Sequence, residues 1–329
     1  MHGGAVWLGV DCGATRVRAA CFRESGDCLE PIGEVHERRH ERAGTCLPLD
    51  LATQASQREG PVLSPNELCC GQAVVDSTCA VLRAAWDAAR VAPGPAAKRR
   101  IGVASFGLKD AGGRGIVVAR NGPRIPGFLD AVEAQLARWG LDTGPVAGLF
   151  SDGVCAAQAE CSSKQGALRG QRTGYVLHAG TGLAEALWID GQLHALDAFP
   201  GMWPKAFQIE RQGSNLESLL ALSGLGQHAQ DSDWLLQRAL VLAWLLGQRT
   251  RTLWEHTKAQ LEVVVLGRKL WHILCPDEVR SAALRSAVQS ELSPFGLGAP
   301  RLVPSSHMEP GVLGAAALAR QGAAFSAHN

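Results

Sequence analysis

The sequence lacks an excess of charge of either sign. Its 32 basic residues nearly balance 31 acidic ones, which leaves a formal net charge of +1. Because no net field draws such a chain towards nucleic acid or an anionic membrane, an anion-binding site has to be local. We therefore expect neither a nucleic-acid partner nor a membrane partner.

A long apolar run is also missing. The most apolar window, residues 234–247, includes Gln237 and Arg238, and it is shorter than the ~20 apolar residues of a membrane-spanning helix. The first ten residues have no basic stretch and no long apolar core of the kind that marks a secretory signal. These absences predict a core helix at 234–247 and a cytoplasmic protein.

None of the ten cysteines pairs with another in a C-x-x-C spacing. This excludes the commonest zinc and redox motifs and favours buried free thiols. His36 and His40, four residues apart in the run HERRHER, would share one face of a helix and could there bind a metal. The run also ends a predicted strand among charged residues, so a solvated loop is the favoured interpretation.

The pattern of elements predicts an α/β protein. The segment 5–22 is interrupted by turn residues at 11–15 and predicts a hairpin, to which 31–36 adds a third strand. Residues 41–63 predict an exposed loop and 92–100 a linker.

A helix start lies between that loop and that linker. Ser64 is placed to cap a helix, with Pro65 at its first position and Glu67 three residues after the cap. Strands and helices then alternate, a second hairpin is predicted around residues 180–182, and the chain beyond Leu216 is mainly helical. A meander followed by alternating helix and strand therefore occurs twice, which predicts two similar α/β halves.

Three segments carry residues suited to phosphate chemistry. After the first strand come Asp11, Gly13, which allows close backbone approach, Thr15, which offers a hydroxyl and an amide, and the cation of Arg16. Because Asp and Gly also dominate ordinary turns, the turn and the phosphate loop both remain open interpretations.

The second and third segments each follow a later apolar strand. Asp152 precedes a small-residue helix, where it could cap helix amides or act as a base at the carboxyl end of a strand. Gly180, Thr181 and Gly182 could form a hairpin turn or an anion-binding nest of backbone amides.

The ordered set GVDCGATRVRAACF, SDGVCAAQAE, GYVLHAGTGLAEALWIDGQL, VVVLG and EPGVLGAAALA resembles the ROK family of sugar kinases, which has the actin, sugar kinase and Hsp70 fold. The similarity runs from residue 6 to about residue 320. It implies a two-lobed actin/hexokinase-like (ribonuclease H-like) fold with an interlobe cleft. Residues 1–150 with 309–329 would form the smaller lobe, and residues 151–308 the larger.

The resemblance also implies roles for individual residues. Asp152 matches the catalytic base, which would accept the proton of a substrate hydroxyl in ATP-dependent phosphoryl transfer. Mg²⁺ would bridge phosphate oxygens, with Asp11 near it through water. The positions that would bind the nucleotide are Asp11, Gly13, Thr15, Arg16, Gly180, Thr181, Gly182 and Gly267.

The departures from the family pattern lie in the acceptor and zinc regions. Ser151 replaces the usual Asn before the catalytic Asp, and Trp203 stands near the expected His of a Glu-x-Gly-His segment. Glu217 remains of a zinc motif whose cysteines are absent, so no zinc is expected. In the loop 123–128, Arg124 is either a surface residue or a partner for an anionic substrate. The residues expected to bind the acceptor are Ser151, Arg124, Gly127, Glu217 and Trp203.

The resemblance therefore predicts a kinase for a sugar or a sugar-like hydroxyl compound, such as an amino sugar or a cyclitol, and a homodimer. Trp203, Met202 and Phe199 would form either a less polar acceptor pocket or a plain core cluster. The alternative function is a ROK-like ligand-binding regulator or interaction protein without turnover. The family's repressors carry an N-terminal helix-turn-helix, whereas the first predicted strand here begins by residue 6, which disfavours direct DNA binding.

Overall fold

The computed structural model describes residues 6–41, 56–57, 59–60, 62–89, 100–141, 145–199, 201–211, 213–225 and 231–322. Most of the predicted loop 41–63 and of the predicted linker 92–100 lies outside the described residues, as do Pro200 and Gln212. The chain divides into two compact units. Unit 1 comprises Met1–Lys164 and Glu309–Asn329, and unit 2 comprises Gln165–Met308.

Unit 1 is built on a five-stranded sheet in the order β3-β2-β1-β4-β7. The first three strands form the predicted antiparallel meander, and β4 and β7 extend it in parallel with β1. A short pair, β5 and β6, lies apart from this sheet. The strands are β1 Val6–Cys12, β2 Arg16–Ser25, β3 Cys28–Arg39, β4 Arg100–Ser105, β5 Leu108–Lys109, β6 Ile116–Val118 and β7 Gly148–Ser151.

Helices pack on both faces of this sheet. The helices of unit 1 are α1 Pro65–Ala88, α2 Phe128–Arg138, α3 Asp152–Ser162 and α9 Pro310–Gln321. Residues of α1 and α2 bury the apolar side chains of one face, and α9 covers Trp7, Phe22 and Leu29 on the other. The helix start predicted from the sequence is confirmed, since Ser64 and Glu67 exchange the two hydrogen bonds of a capping box.

Small residues let α9 approach its neighbours closely. A Cβ atom at Gly314 would lie 1.7 Å from the carbonyl oxygen of Cys155 in α3, and one at Gly9 would lie 1.8 Å from that of Val312. The packing of α3 against α9 ties α3 to unit 1. The division into compact units falls after Lys164, just beyond the end of α3 at Ser162, whereas the expected boundary lay between residues 150 and 151.

Unit 2 repeats the topology of unit 1. Its sheet has the order β10-β9-β8-β13-β14, again an antiparallel meander followed by two parallel strands. Asp190 and Gly191 close the β9–β10 hairpin with positive φ angles. The strands are β8 Thr173–Ala179, β9 Leu183–Ile189, β10 Gln192–Ala195, β13 Val263–Leu266 and β14 Arg301–Pro304, with a separate pair β11 Glu210–Arg211 and β12 Ser214–Asn215. The repeated strand order confirms the prediction of two similar α/β halves.

The helices of unit 2 bury one large apolar cluster against its sheet. They are α4 Leu216–Leu220, α5 Leu222–Leu225, α6 Ser232–Thr257, α7 Arg268–Leu274 and α8 Glu278–Leu292. The apolar window 234–247 lies within α6 and packs in this cluster. No helix in the described part of the chain is long and apolar enough to cross a bilayer.

Candidate functional site

The carboxyl ends of three parallel strands bring Asp11 and Asp152 to the same edge of the unit 1 sheet. Asp11 pairs in register with Ala104 of β4, and Ser151, which immediately precedes Asp152, pairs with Ser105 at the end of the same strand. Because β4 alone separates the strands of the two acids, the fold places two acidic groups at the edge where α/β sheets bind ligands.

Asp11 lies against the start of α9. A Cβ atom at Gly311 would be 2.8 Å from the Asp11 carboxyl carbon, so only glycine admits the acid at this distance. Burial, followed by the charge of Asp152, raises the Asp11 pKa from 3.8 to about 6, while Arg18 opposes the rise and Glu309 adds to it. Arg18 lies 3.8 Å from Asp11 and 2.9 Å from Glu309. Asp11 therefore lies near two other acids, Asp152 and Glu309, and near the cation of Arg18.

The first glycine turn, residues 13–15, links β1 to β2 beside Asp11. The Gly13 N–H donates to the carbonyl oxygen of Arg16 at 3.0 Å, and a Cβ atom at Gly13 would lie 3.2 Å from that oxygen. Arg16, expected to offer a cation to phosphate, forms an exposed ion pair with Glu37 at 2.9 Å. Arg16 is therefore engaged by Glu37, and the backbone of the turn and Thr15 stay the predicted phosphate-binding groups.

Asp152 occupies the first turn of α3. Ser151 is the N-cap residue but makes no side-chain capping bond, and Asp152 Oδ1 accepts a hydrogen bond from the Gly153 N–H at 2.8 Å. The acid is only partly buried. Ser151 therefore does not cap α3 through its side chain, whereas Asp152 accepts from one amide of the first turn, so the cap and the base both remain open as roles of this acid.

Lys109 is a component of this edge that sequence reasoning missed. Its ammonium donates to the carbonyl oxygens of Ser105, Phe106 and Gly107 at 2.8, 3.2 and 2.7 Å, which fixes it where β4 ends. Burial and the charges of Asp11 and Asp152 raise the pKa of Cys155, and Lys109 opposes them. A fixed cation thus accompanies the two acids. No sequence motif marks it, because the contacts run to backbone carbonyls.

The second glycine turn, residues 180–182, follows β8 in unit 2. Gly180 N–H donates to the carbonyl oxygen of Gly182 at 2.8 Å, and the Gly180 carbonyl accepts from the Leu222 N–H at 3.1 Å. Since the C=O and N–H of a trans peptide point in opposite directions, the bond from Leu222 turns the Thr181 N–H outward. Within the described residues that N–H has no hydrogen-bond partner.

Neither backbone conformation nor packing requires a glycine at position 180. Its φ angle is not positive, and the nearest atom to a Cβ there would be 4.0 Å away. A missing side chain at an open turn leaves room for a ligand to reach the backbone. Gly267, at the end of the neighbouring β13, differs, because a Cβ there would lie 2.8 Å from His178 Nδ1. Close packing on His178 accounts for that glycine.

Glu217 is hydrogen-bonded to the backbone next to the second turn. This buried side chain accepts a hydrogen bond from the Leu183 N–H at 3.2 Å, immediately after the turn. Glu217 was expected to bind the acceptor, but it lies beside the turn that was expected to bind the nucleotide. Its observed contact positions the backbone of the turn.

Arg124 and Gly127 have structural roles in unit 1. Arg124 is 6% exposed, which corrects the expectation of a surface residue. Its guanidinium donates to both oxygens of Glu67 at 2.8 and 2.9 Å, so the acid that completes the capping box of α1 also holds Arg124. Gly127 adopts a left-handed conformation, with φ of 67°, as the N-cap residue of α2.

Trp203 lies in the apolar core of unit 2 and is 4% exposed, as the core-cluster interpretation predicted. A buried ion pair fixes its surroundings. Arg249 donates to Glu185 at 2.7 Å and to the Pro204 carbonyl at 2.8 Å, and Tyr175 donates to Glu185 at 2.6 Å. Glu185 also accepts from the backbone N–H of residue 206 at 3.2 Å. This network secures the segment on which Trp203 stands.

Metal binding at the Asp11 edge can be judged from its donors. Two carboxylates that repel each other enough to raise one pKa are suited to a hard divalent cation with oxygen ligands, such as Mg²⁺. The described residues contain no group of three or more His, Cys, Asp or Glu side chains that could hold a metal alone. Nine cysteines in the described segments are free, of which Cys69 is exposed and Cys161 partly exposed.

Comparison with known proteins identifies the fold. No protein-family model and no curated protein matches the chain, whereas solved structures do. The ROK hexokinase from Thermus thermophilus is 20% identical, with a TM-score of 0.61 over 96% of this chain and 98% of that chain. A ROK glucokinase from Streptomyces griseus, in complex with glucose and AMPPNP, is 16% identical, with a TM-score of 0.58 over 96% and 100%.

A third structure of similar fold has a different role. It is a ROK family transcriptional regulator, homologous to the E. coli MLC protein, at 13% identity and a TM-score of 0.60, covering 97% of this chain and 78% of that chain. The protein is thus of the actin/hexokinase-like α/β class. Within that class its fold is that of the ROK sugar kinases, and at these identities the similarity establishes the fold alone.

Proposed function

We propose that this protein is an ATP-dependent kinase that phosphorylates a hydroxyl group of a sugar or a sugar-like compound. The observation that carries the proposal is the placement of Asp11 and Asp152, with the fixed ammonium of Lys109, at the carboxyl edge of the unit 1 sheet beside the first glycine turn. Two acids and a cation next to a glycine turn suit phosphoryl transfer better than ligand binding without a reaction.

In this proposal Asp152 is the general base. Its carboxylate accepts the proton of the acceptor hydroxyl as that oxygen attacks the γ-phosphorus of ATP, and the bond to the β,γ-bridging oxygen breaks. The hydrogen bond from the Gly153 N–H to Oδ1 orients the carboxylate. The charge of Lys109 opposes the rise in the pKa of Cys155, so this cation acts on the same edge as the two acids.

The nucleotide would be bound mainly by backbone groups. Each glycine turn, considered within its own unit, offers backbone amides that suit a phosphate oxygen, as nests of successive N–H groups do. Thr15 and Thr181 add hydroxyl donors, and Gly267 lies at the adenosine side by resemblance. Asp11 would hold Mg²⁺ through water, and the ion would supply charge neutralisation on the phosphates.

The acceptor is proposed to be a modified sugar, such as an amino sugar, or a cyclitol rather than glucose. Ser151, in place of the family's Asn, offers a single hydroxyl beside the base. Arg124 and Trp203 are left out of the proposed site because the structure engages one in an ion pair and buries the other. The expected homodimer and cytoplasmic location stay predictions.

A ligand-binding regulator without turnover is the second candidate. The transcriptional regulator with a TM-score of 0.60 supports it, because the same fold serves a regulatory role there. The two candidates share a binding site and differ in phosphoryl transfer alone.

The test is an ATP-consumption screen over neutral, amino and acetylated hexoses and cyclitols, followed by Asp152→Asn on the best acceptor. The variant should lose at least about 10³-fold in kcat while its affinity for ATP and its melting temperature stay close to those of the wild type, since only the base is removed. Asp87→Asn, an exposed acid on α1, is the matched control.

Equal activity of Asp152→Asn and wild type would refute the assignment of the base. ATP binding without consumption for any acceptor would favour the regulator.

A further inference from the structure

His40 is a buried residue beside the first glycine turn that the proposed mechanism does not use. It follows directly after β3 and is 3% exposed, so the solvated loop expected from the charged run HERRHER is wrong at this position. Its ring Nε2 lies 2.9 Å from the carbonyl oxygen of Gly13, and its backbone N–H donates to the carbonyl oxygen of Thr15 at 3.1 Å. One residue thus binds two carbonyl groups of the turn.

The contact with Gly13 determines the tautomer of the ring. A carbonyl oxygen only accepts, so Nε2 carries the proton and donates it. Burial lowers the His40 pKa and the hydrogen bond to Gly13 opposes that shift. The neutral Nε2–H tautomer is therefore the form that holds the turn. Nδ1 is buried and has no hydrogen-bond partner within the described residues.

Holding the Gly13 carbonyl fixes the peptide plane that joins Gly13 to Ala14. The peptide is trans, so its N–H points away from the oxygen that His40 binds. The Ala14 N–H consequently faces away from His40, and within the described part of the chain it has no hydrogen-bond partner. An aligned, unsatisfied backbone donor at a glycine turn is the group that binds a phosphate oxygen.

The second turn has the same arrangement with a different residue. There the Leu222 N–H binds the Gly180 carbonyl and orients the Thr181 N–H. In unit 1 a side chain performs this task, which makes it open to substitution without a change to the backbone.

We propose that His40 is a positioning residue that aligns the Ala14 N–H for binding a phosphate group of the nucleotide. This inference rests on the proposed function and adds to it a residue outside the turn. Without the side chain the peptide between residues 13 and 14 can rotate, and the turn has to be ordered when the nucleotide binds. Such ordering weakens affinity for ATP and leaves the acceptor site unaffected.

The experiment compares His40→Leu and His40→Gln with the wild type. Leu fills the space without a donor, whereas the amide N–H of Gln can reach the position of Nε2. His36→Gln, on the same strand and paired with Ala19 of β2, is the matched control. The dissociation constant of Mg·ATP is measured by calorimetry without acceptor, and KM values for ATP and acceptor are measured separately.

We expect His40→Leu to raise the dissociation constant and the KM for ATP about tenfold, with the KM for the acceptor unchanged. His40→Gln should restore both nucleotide constants to within about threefold of the wild type, and His36→Gln should match the wild type. Thermal unfolding shows whether a loss of ATP affinity in His40→Leu arises from misfolding. If it does, the ATP affinity of the folded His40→Gln variant still tests the proposal.

Three results would overturn the proposal. Unchanged ATP affinity in His40→Leu would remove the positioning role and leave the kinase proposal intact. An equal loss in folded Leu and Gln variants would show that the donor is irrelevant. A wild-type protein with no affinity for Mg·ATP would instead overturn the proposed function together with this inference.

Discussion

At the scale of single residues, the candidate site is defined by groups whose charges oppose one another. Asp11 has a raised pKa because it is desolvated and lies near Asp152, and Arg18 only partly compensates. Because burial and the charge of Asp152 disfavour the ionised form of Asp11, a bound cation or cationic partner is expected to stabilise its carboxylate.

The pH dependence of stability tests the state of Asp11. Because its pKa is about 6 in the folded protein, against 3.8 for the same side chain in water, the native protein binds more protons than the unfolded chain between these values. The contribution of Asp11 to stability therefore falls as the pH rises from about 4 to about 6. Asp11→Asn, which stays neutral, should be more stable than the wild type at pH 7, by about 1–3 kcal/mol, and by less at pH 4.

Urea unfolding of both proteins at pH 4, 5, 6 and 7 without nucleotide measures this difference. Asp87→Asn on the exposed face of α1 should show no comparable trend. A constant difference between Asp11→Asn and the wild type across the range would mean that Asp11 titrates normally.

The sequence predicted Asp11 and Asp152 because each follows an apolar strand, a pattern visible in a short window. It did not predict Lys109 or His40. Lys109 binds backbone carbonyls of residues 105–107, and His40 binds that of Gly13. Because every residue has a backbone carbonyl, no sequence pattern identifies such a partner. It also left Arg124 open, because Glu67 is distant along the chain and is engaged by the fold alone.

At the scale of elements, the position of Asp152 depends on the packing of α3 against α9. Gly314 meets the backbone of α3 at Cys155, one turn after Asp152. The small residues of α9 allow this helix to pack closely against α3 and against β1.

Gly314→Val should therefore destabilise the protein by about 1–3 kcal/mol or more, because the side chain forces α9 away from α3. The displacement also shifts α3, so kcat should fall more than the KM for ATP rises. Gly112→Ala is the matched control in unit 1, since its Cβ would meet only Asp110 Oδ1 at 3.5 Å. Denaturant unfolding and steady-state kinetics measure both effects, and a fully stable, fully active Gly314→Val variant would contradict the close contact.

At the scale of the whole molecule, the chain leaves unit 1 after Lys164 and returns to it at Glu309. Unit 1 is therefore completed by the last helix, whereas unit 2 is continuous in sequence. Six of the nine tryptophans and the single tyrosine lie in unit 2.

Deletion of residues 309–329 should disrupt unit 1 and spare unit 2. Loss of α9 uncovers Trp7, Phe22 and Leu29 on one face of the unit 1 sheet, while the apolar cluster of unit 2 contains no residue of that helix. Hydrogen exchange should accelerate in β1, β2 and β4 and stay slow in β8 and β13. Deletion of residues 323–329 alone is the control, and equal loss of protection in both units would contradict the division.

The sequence by itself determined the alternation of elements, the duplicated α/β pattern, the start of α1 and the acids at the strand ends, because periodicity, capping and turn chemistry act within a few residues. Tertiary structure alone decided that α3 belongs with unit 1, that Arg124 and Trp203 are buried, and that His40 and Lys109 reach the proposed site. Those outcomes depend on contacts between residues far apart in the chain, where packing and desolvation, rather than local preference, set the energy.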